Sequence, residues 1–457
     1  MRRQELAKLD RELTNYVDEL LDGMGRVERR TSMQRYVEGL LLDGARKSIE
    51  PMAARLVVDP GETQAMRQRL QEAVSCAAWS DDELRKRVAL KAESELPGVE
   101  ALILDDTGFP KKGTCSVGVA RQYSGTLGRT DNCQVATSLH LAAERGSCCI
   151  GMRLYLGKEW IDDMDRRAKV GVPKDVEFRT KWQLGLDMLD AAEQWGVRKH
   201  VVLADAGFGE VTEFRRVLVE RGRMYVVGIA PELKIWAPGT GPIAPEDRVR
   251  KGNGKGAPIT KYMTGEQKPV TVAELAASRG VDGLQTLTWR EGSRGRQRSR
   301  FGAVRVRTSH RHTQGEAPGA EEWLVYAWPV GASKPAKFWL SNLPPKPSIK
   351  RLVYLAKLRW RIERDYQEMK EELGLDHFEG RSWRGFHHHA SLVAMAHAFL
   401  ALRRALSPPI DLGELDPAGG EEAAAADIAV PARHVSALQP ARRVGRGTAT
   451  GLAHVIE

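Results

Sequence analysis

The chain contains 457 residues, of which 70 are Lys or Arg and 60 are Asp or Glu, and its formal net charge is +10 at pH 7. At about 150 residues per domain, this length corresponds to roughly three folding units with a sizeable buried core. A peptide hormone and a disulfide-stapled mini-protein are therefore excluded. The positive charge favours a polyanionic partner, and nucleic acid is the leading class.

Cysteine usage and apolar runs bear on the compartment. The five cysteines include no C-x-x-C pair, so they indicate neither a disulfide framework nor a zinc ribbon, and a reducing cytoplasm fits best. The longest apolar run, about 392–402, is interrupted by His397 and is too short to cross a bilayer. The opening MRRQELAKLD lacks the apolar segment of a secretion signal. We expect a cytoplasmic protein with no membrane partner.

The first part of the chain has the pattern of helices. Apolar residues recur there at steps of three and four, namely Leu6, Leu9, Leu13, Val17 and Leu20. Further along, Ser80-Asp-Asp-Glu83 has the form of a capping box, which opens another helix. Pro97-Gly98 then ends the helical pattern. We predict a helical region over 1–95 and assign DNA binding to it.

Between 96 and 230 the pattern alternates between strands and helices. Short apolar runs predict strands near 101–104, 116–119, 134–141, 150–156, 200–204 and 224–229. Helical spacing follows over about 182–195 and 211–220. Strands that alternate with helices indicate an α/β core built on a mixed sheet.

The remaining sequence divides into three parts. Residues 231–345 are rich in Gly, Pro, Arg and Trp with short alternating runs, which predicts a β-rich insertion. Over 346–406 we expect helices that complete the core, and the first of them should run unbroken from Ile349 to Leu373, between Ser348 and Gly374. The Pro-, Ala-, Gly- and Glu-rich segment 407–457 has the composition of a flexible tail.

Two of the predicted strands run directly into acids. Asp105 and Asp106 follow one buried run, and Asp205 follows another, with Gly207 and Gly209 close behind. An acid in such a place is costly unless it is paired or holds a cation. Each aspartate alone is also compatible with a simple role as the cap of the following turn or helix.

A third acid lies in the long predicted helix. At about 100° per residue, Arg359, Glu363 and Lys370 share one helix face. Taken alone, this is the pattern of a solvated ion pair worth little stability. Two strand-end aspartates together with one glutamate are, however, the oxygen ligands that two Mg²⁺ ions need. Such ions activate a water or 3′-hydroxyl nucleophile for phosphoryl transfer, and Arg359 and Lys370 would then contact DNA phosphates.

These residues resemble cut-and-paste insertion-sequence transposases, which carry a DDE triad on an RNase H-like core. The helix is similar to their Y-x2-R-x3-E-x6-K signature, except that Ala356 occupies the tyrosine position and leaves Tyr354 or Tyr366 to supply that contact. Asp106-Thr107 resembles the first acid, and Asp205 in ADAGFG resembles the second. The strings LDDTGFPKKG, SVGVARQYSGTLGRTDNCQVA and GLDHFEGRSWRGFHHH are similar to one branch, the insertion sequence 701 family, over about 20–405.

The resemblance implies a fold and an activity. The fold is α/β, an RNase H-like mixed-sheet core with an inserted β-rich subdomain and a helical N-terminal region. Asp106, Asp205 and Glu363 are the implied catalytic residues and metal ligands for two Mg²⁺ ions, with Mn²⁺ as a substitute; the choice between Asp105 and Asp106 stays open. The implied partners are double-stranded DNA, as terminal inverted repeats and target, and a second copy of the chain in a homodimer, in the bacterial cytoplasm at the nucleoid.

Additional cations are candidates for DNA contact. Between 292 and 312 there are seven arginines and no acid, namely Arg294, Arg296, Arg298, Arg300, Arg305, Arg307 and Arg311. Phosphates would attract such a segment strongly at low salt, and we expect it to contact DNA. The alternative is a flexible, solvated loop. Lys111 and Lys112 lie next to the first acid and are placed to hold the cleaved strand.

The sequence gives weaker evidence for other types of site. His387-His388-His389 and Cys148-Cys149 do not indicate zinc, because adjacent helical residues diverge by about 100°. The glycine-rich 252–256 lacks the spacing of a phosphate loop, so no nucleotide cofactor is expected. Three functions remain open: an active transposase, a transposase-derived DNA-binding protein that no longer cuts, and a nuclease for RNA–DNA hybrids. Metal-dependent cutting at an element end distinguishes the first from the second.

Overall fold

The computed structural model describes residues 3–248, 258–292 and 295–406. Within these ranges the strands are β1 (Ala101–Pro110), β2 (Ala120–Ser124), β3 (Arg129–Ala142), β4 (Ser147–Leu154), β5 (Val201–Ala204), β6 (Tyr225–Ile229), β7 (Lys234–Trp236), β8 (Val270–Thr271), β9 (Gln285–Gly292), β10 (Gly295–Thr308), β11 (Glu321–Trp328) and β12 (Lys337–Ser341). All of them belong to one mixed sheet.

Helices flank this sheet and form the N-terminal region. The α-helices are α1 (Arg3–Leu21), α2 (Val27–Leu41), α3 (Ile49–Leu56), α4 (Thr63–Gln71), α5 (Asp81–Glu95), α6 (Lys158–Ile161), α7 (Met164–Val170), α8 (Lys181–Trp195), α9 (Ala206–Gly209), α10 (Thr212–Glu220), α11 (Val272–Ser278), α12 (Ile349–Leu358), α13 (Arg361–Gln367) and α14 (Trp383–Leu406). Short 3-10 turns lie at Pro60–Glu62, Pro245–Asp247 and His312–Gln314, and π-helical turns at Glu72–Cys76 and Glu368–Glu372.

Five strands form the centre of the sheet in the order β4-β3-β1-β5-β6. Strands β1, β5 and β6 run parallel, whereas β3 is antiparallel to both β1 and β4. Strands β12, β11 and β10 then continue the same sheet beyond β6. The predicted fold class, an RNase H-like mixed sheet with a β-rich insertion and a helical N-terminal region, is confirmed.

The apolar runs of the parallel strands are explained by burial on both faces. In β1, Leu102 and Leu104 belong to the cluster that contains Leu186 of α8. Ile103 belongs to the opposite cluster, which contains Leu352 of α12. Because side chains alternate along a strand, a strand covered on both faces reads as a continuous apolar run. The two faces of β1 are therefore defined by α8 on one side and α12 on the other.

The N-terminal helices pack directly on α14. Tyr16 of α1 donates its hydroxyl to the Met395 carbonyl at 2.9 Å, and the Tyr36 hydroxyl of α2 is 2.9 Å from His389 Nδ1. Of the capping box predicted at Ser80-Asp-Asp-Glu83, the structure shows the N-cap bond, in which the Ser80 hydroxyl accepts from Glu83 N at 3.1 Å. Among the described residues, no helix is both long enough and apolar enough to span a bilayer.

Two local predictions are wrong. Residues 116–119 form turns, and strand β2 begins only at Ala120, because Gly118 adopts a left-handed conformation with φ 71°. The helix predicted over 349–373 is interrupted: Trp360 N bonds Lys357 O at 3.0 Å, one residue tighter than an α-helical bond. A π-helical turn then follows α13, and such turns are frequent at functional sites. Gly374, with φ 66°, ends the segment as predicted.

Candidate active site

Strand β1 places its two aspartates on opposite faces of the sheet. Asp105 Oδ2 accepts from the Arg359 guanidinium at 2.6 Å, on the side of α12 and α13. Asp106 Oδ2 accepts from Lys181 Nζ of α8 at 2.7 Å, on the other side. This division follows from the alternation of side chains along the strand. The structure therefore brings Asp105, and not the Asp106 predicted from the Asp-Thr pair, to the face that carries Glu363.

Asp205 lies beside Asp105, where the parallel pairing of β1 with β5 stops. Leu104 pairs with Ala204 in the register of β1 and β5, so the aspartates occupy the next position on each strand. The Asp205 carboxylate also accepts from Phe208 N at 3.4 Å and caps α9. The capping role considered for this residue is thus present, together with its position beside a second acid.

The turn after Asp205 depends on a glycine. A Cβ at Gly209 would lie 1.9 Å from the carbonyl oxygen of Gly228 on β6, so the backbones of α9 and β6 meet without room for a side chain.

We expect Gly209→Ala to lower the free energy of unfolding by about 3 kcal/mol, because backbone must move to relieve the overlap. Gly113→Ala is the matched control, since a Cβ at Gly113 meets no heavy atom within 4 Å. Denaturant titration of both variants measures the difference. Equal unfolding midpoints for the two variants would show that this contact does not hold α9.

Arg359 joins the first acid to the third. Its guanidinium contacts Asp105 at 2.6 Å and Glu363 Oε1 at 3.5 Å. Burial alone would lower the pKa of Arg359, yet the three surrounding acids outweigh burial and raise it. The Glu363 side chain is 71% exposed, whereas that of Asp105 is 15% exposed. Glu363 therefore lies at the open side of the site, whereas Asp105 is largely buried.

The charge on Asp105 is only partly compensated. Burial raises the pKa of Asp105 to about 7, Arg359 opposes the rise, and the neighbouring Asp205 adds to it. A buried carboxyl group that a like charge pushes towards neutrality is a place where additional positive charge is stabilising.

Two lysines that the sequence assigned to DNA instead bind backbone carbonyls. Lys370 Nζ donates to Gly108 O of β1 at 2.9 Å, and Lys111 Nζ donates to Phe378 O at 2.9 Å. Burial lowers the pKa of both ammonium groups. Lys112 is exposed. Lys370 thus supports the end of β1 three residues beyond Asp105.

The predicted arginines that fall within the described residues lie on β10 and the loop after it. Arg294 falls outside the described residues, and of Arg296 only the backbone is described. Arg298 is exposed and Arg300 is half-buried. Arg305 instead pairs with Glu321 at 3.2 Å and lies over the Trp323 ring. Of the four arginines chosen as DNA contacts, Arg298 is therefore the most accessible one that can be described.

The tyrosines considered for the family signature have partners of their own. Tyr354 donates to the Glu100 carboxylate. Tyr366 lies 2.6 Å from the Ser138 hydroxyl, beneath the site.

The three acids differ in how well they fit a metal ion. In the described ranges, no three His, Cys, Asp or Glu side chains are close enough together to hold one. Asp105 and Asp205 nevertheless present carboxylate oxygens, the donors that Mg²⁺ prefers, in a place short of positive charge. Glu363 contacts the Arg359 guanidinium that also binds Asp105. The donor chemistry of these carboxylates fits a hard divalent cation.

Comparison with known proteins gives three similarities. The family model described as DDE superfamily endonuclease matches residues 19–296. The probable transposase for insertion sequence element IS701 of Microchaete diplosiphon is 30% identical over 196 residues, which is 42% of this chain and 46% of the relative, so the chain spans about half the length of that relative. A structure of the piggyBac transposase synaptic complex with hairpin DNA aligns over 96% of this chain and 84% of that one, at 9% identity and a TM-score of 0.36.

Proposed function

The chain belongs to the DDE superfamily of endonucleases, and from this membership we propose that it is a DNA transposase that cuts the ends of an insertion sequence and joins them to target DNA. The observation that carries the proposal is that Asp105 and Asp205 each follow the last residue of the parallel β1–β5 pairing, beside an arginine that also contacts Glu363. The family match includes both aspartates. Glu363 lies beyond the match, and its role rests on the geometry.

In this proposal Asp105 replaces Asp106 as the first acid. Asp105, Asp205 and Glu363 would hold Mg²⁺ or Mn²⁺ through their carboxylate oxygens. A bound pair of such ions supplies an activated water or 3′-hydroxyl and stabilises the leaving oxygen. Arg359 pairs with Asp105 of β1 and with Glu363 of α13 and so links the strand to the helix. Asp106 holds α8 through Lys181.

The proposed substrate is double-stranded DNA, as terminal inverted repeats and target, bound by a homodimer. The positive net charge supports a polyanionic partner. Lys112 and Arg298 are exposed and are the first residues to test for phosphate contact. Lys370 is better placed to support β1, because its ammonium group is already bonded to Gly108 O.

The test is cleavage of a labelled duplex that carries the native element end and its flank. We expect wild-type protein to cut at the boundary with Mg²⁺ or Mn²⁺ and to stop when the ions are chelated, while DNA binding persists. The cleavage rate of Glu363→Gln should be lower by about 100-fold or more, because the variant loses a metal ligand but no phosphate contact. Glu371→Gln makes the same charge change at an exposed position on the following turn and is the control.

Each other outcome selects a different function. Binding without cutting by wild type, under conditions that allow end pairing, indicates a transposase-derived DNA-binding protein. Preferential cutting of an RNA–DNA hybrid indicates a nuclease of the same fold. Equal cutting by wild type and Glu363→Gln removes Glu363 from the site.

A further inference from the structure

Beside Asp105 lies a group of polar side chains, four of them buried and Tyr366 partly buried, here called the His140 cluster. It consists of Ser138 and His140 on β3, Ser147 on β4, and Asp365 and Tyr366 on α13. His140 Nδ1 is 2.7 Å from Asp365 Oδ2, and His140 Nε2 is 3.1 Å from Ser138 Oγ. Ser147 Oγ donates to Asp365 Oδ1 at 2.7 Å. The Tyr366 hydroxyl completes the chain of bonds at 2.6 Å from Ser138 Oγ.

The cluster connects the element with the first acid to the element with the third. Ser138 is the direct neighbour of Asp105 in the register of β1 and β3. Asp365 and Tyr366 follow Glu363 by two and three residues on α13. Two consecutive side chains of the helix are therefore tied to the strand that pairs with β1. These bonds therefore link the position of Glu363 to that of Asp105.

The bonds are directional and shielded from water. Ser138 and His140 are fully buried, and Ser147 and Asp365 are exposed by 3% and 4%. Both oxygens of Asp365 are bonded, so its rotamer is fixed from two strands at once. Apolar contacts such as those of Ile362 also hold the helix, but they are non-directional. A satisfied buried polar network instead specifies one arrangement.

We propose that the His140 cluster is a positioning device that fixes the rotation of α13 against β1, so that Glu363 and Arg359 stay within reach of Asp105. The inference rests on the proposed transposase function. The five residues touch neither DNA nor metal in this role. They act through Glu363, as the partners of metal ligands do in other metal sites.

The variants Tyr366→Phe and Ser138→Ala test this inference, because each removes one hydroxyl and leaves the backbone unchanged. We expect the turnover of end cleavage to fall about 10- to 100-fold, with a higher half-saturating Mg²⁺ concentration and an unchanged Kd for the DNA end. Tyr16→Phe is the matched control, since it removes a buried tyrosine hydroxyl bonded to Met395 O at 2.9 Å on the N-terminal helices. It should cost similar stability without changing turnover or the Mg²⁺ requirement.

The outcomes separate this inference from the proposed function. Thermal unfolding first establishes which variants are folded. Because two variants each remove a hydroxyl group independently, the test still works if one of them fails to fold. Wild-type turnover and Mg²⁺ requirement in the folded variants overturn the positioning role alone. A wild-type protein that binds the end without cutting it overturns the proposed function and this inference with it.

Discussion

Asp105→Asn is expected to reduce cleavage at the element end by about 1000-fold or more, whereas Asp106→Asn should stay within about tenfold of wild type. The first change removes a charged oxygen beside Asp205, and the loss of about 4 kcal/mol of metal-dependent stabilisation corresponds to that factor. The second removes the partner of Lys181 on the opposite face of the sheet. The two substitutions replace the same carboxyl group with the same amide, one residue apart.

Single-turnover cleavage of the labelled end duplex measures both rates, and a binding titration with the same duplex confirms that each variant still recognises DNA. Unfolding of each variant is recorded as well, because Asp105→Asn removes the partner that Arg359 contacts at 2.6 Å. The reverse order of activities, with Asp106→Asn inactive and Asp105→Asn active, would restore the assignment that the Asp-Thr pair suggested. If both variants are inactive, Asp106 and its partner Lys181 also contribute to the site.

The two aspartates show where the sequence stops being informative. A buried strand that runs into acids was recognisable from its apolar run, as were β5 and the acid after it. Which of two adjacent acids faces the catalytic helix was not recognisable. A shift of one residue along a strand moves a side chain to the opposite face of the sheet. Because β1 is apolar on both faces, its sequence does not show which face each aspartate occupies.

The interrupted helix has a similar explanation. The segment 349–373 contains neither Pro nor Gly, so local propensity favours one unbroken helix. At the two irregular turns, side chains are tied to β1 instead: Arg359 binds Asp105, and Lys370 binds the Gly108 carbonyl. Tertiary contacts of this kind override propensity, and no local pattern announces them.

The residues that sequence reasoning missed are those with distant partners. Lys181 is 75 positions from Asp106, and His140 is 225 positions from Asp365. Neither pair lies in a motif. Once the strand order is known, however, the pairing of Asp105 with Ser138 across β1 and β3 points directly to the polar residues of β3. The signal for the His140 cluster was therefore the pair of polar residues Ser138 and His140 in the buried half of β3.

The second large expected effect is a loss of stability in acid, caused by buried histidines on α14. His387 Nδ1 bonds Trp383 O at 3.0 Å, while its Nε2 accepts from Leu154 N at 3.4 Å. A proton on Nε2 would face another donor, so these partners require the neutral ring. His389 is similar: Nε2 faces the carbonyl of Gly374 at 3.1 Å, and Nδ1 lies 2.9 Å from the Tyr36 hydroxyl.

The direction of the effect follows from the pKa values. Burial lowers the pKa of His387 and of His389 from 6.5 to about 4. Nearby charges do not reverse this: Asp81 raises the pKa of His387, but Arg153 and Arg85 lower it, and Lys111 and His377 lower that of His389. Above pH 6.5 the two histidines are neutral in both the folded and the unfolded protein. Between pH 6.5 and 4 only the unfolded chain takes up protons, so stability falls as the pH falls.

Each of the two histidines should contribute about 3 kcal/mol to this fall. His140 does not offset it, because its pKa is raised to about 10 and its stabilisation is already complete below pH 6.5. Urea unfolding at pH 7.5, 6.5, 5.5 and 4.5 measures the effect. His387→Gln should be less stable at pH 7.5 but lose about 3 kcal/mol less on acidification. A variant that falls as steeply as wild type would show that His387 is protonated in the folded protein.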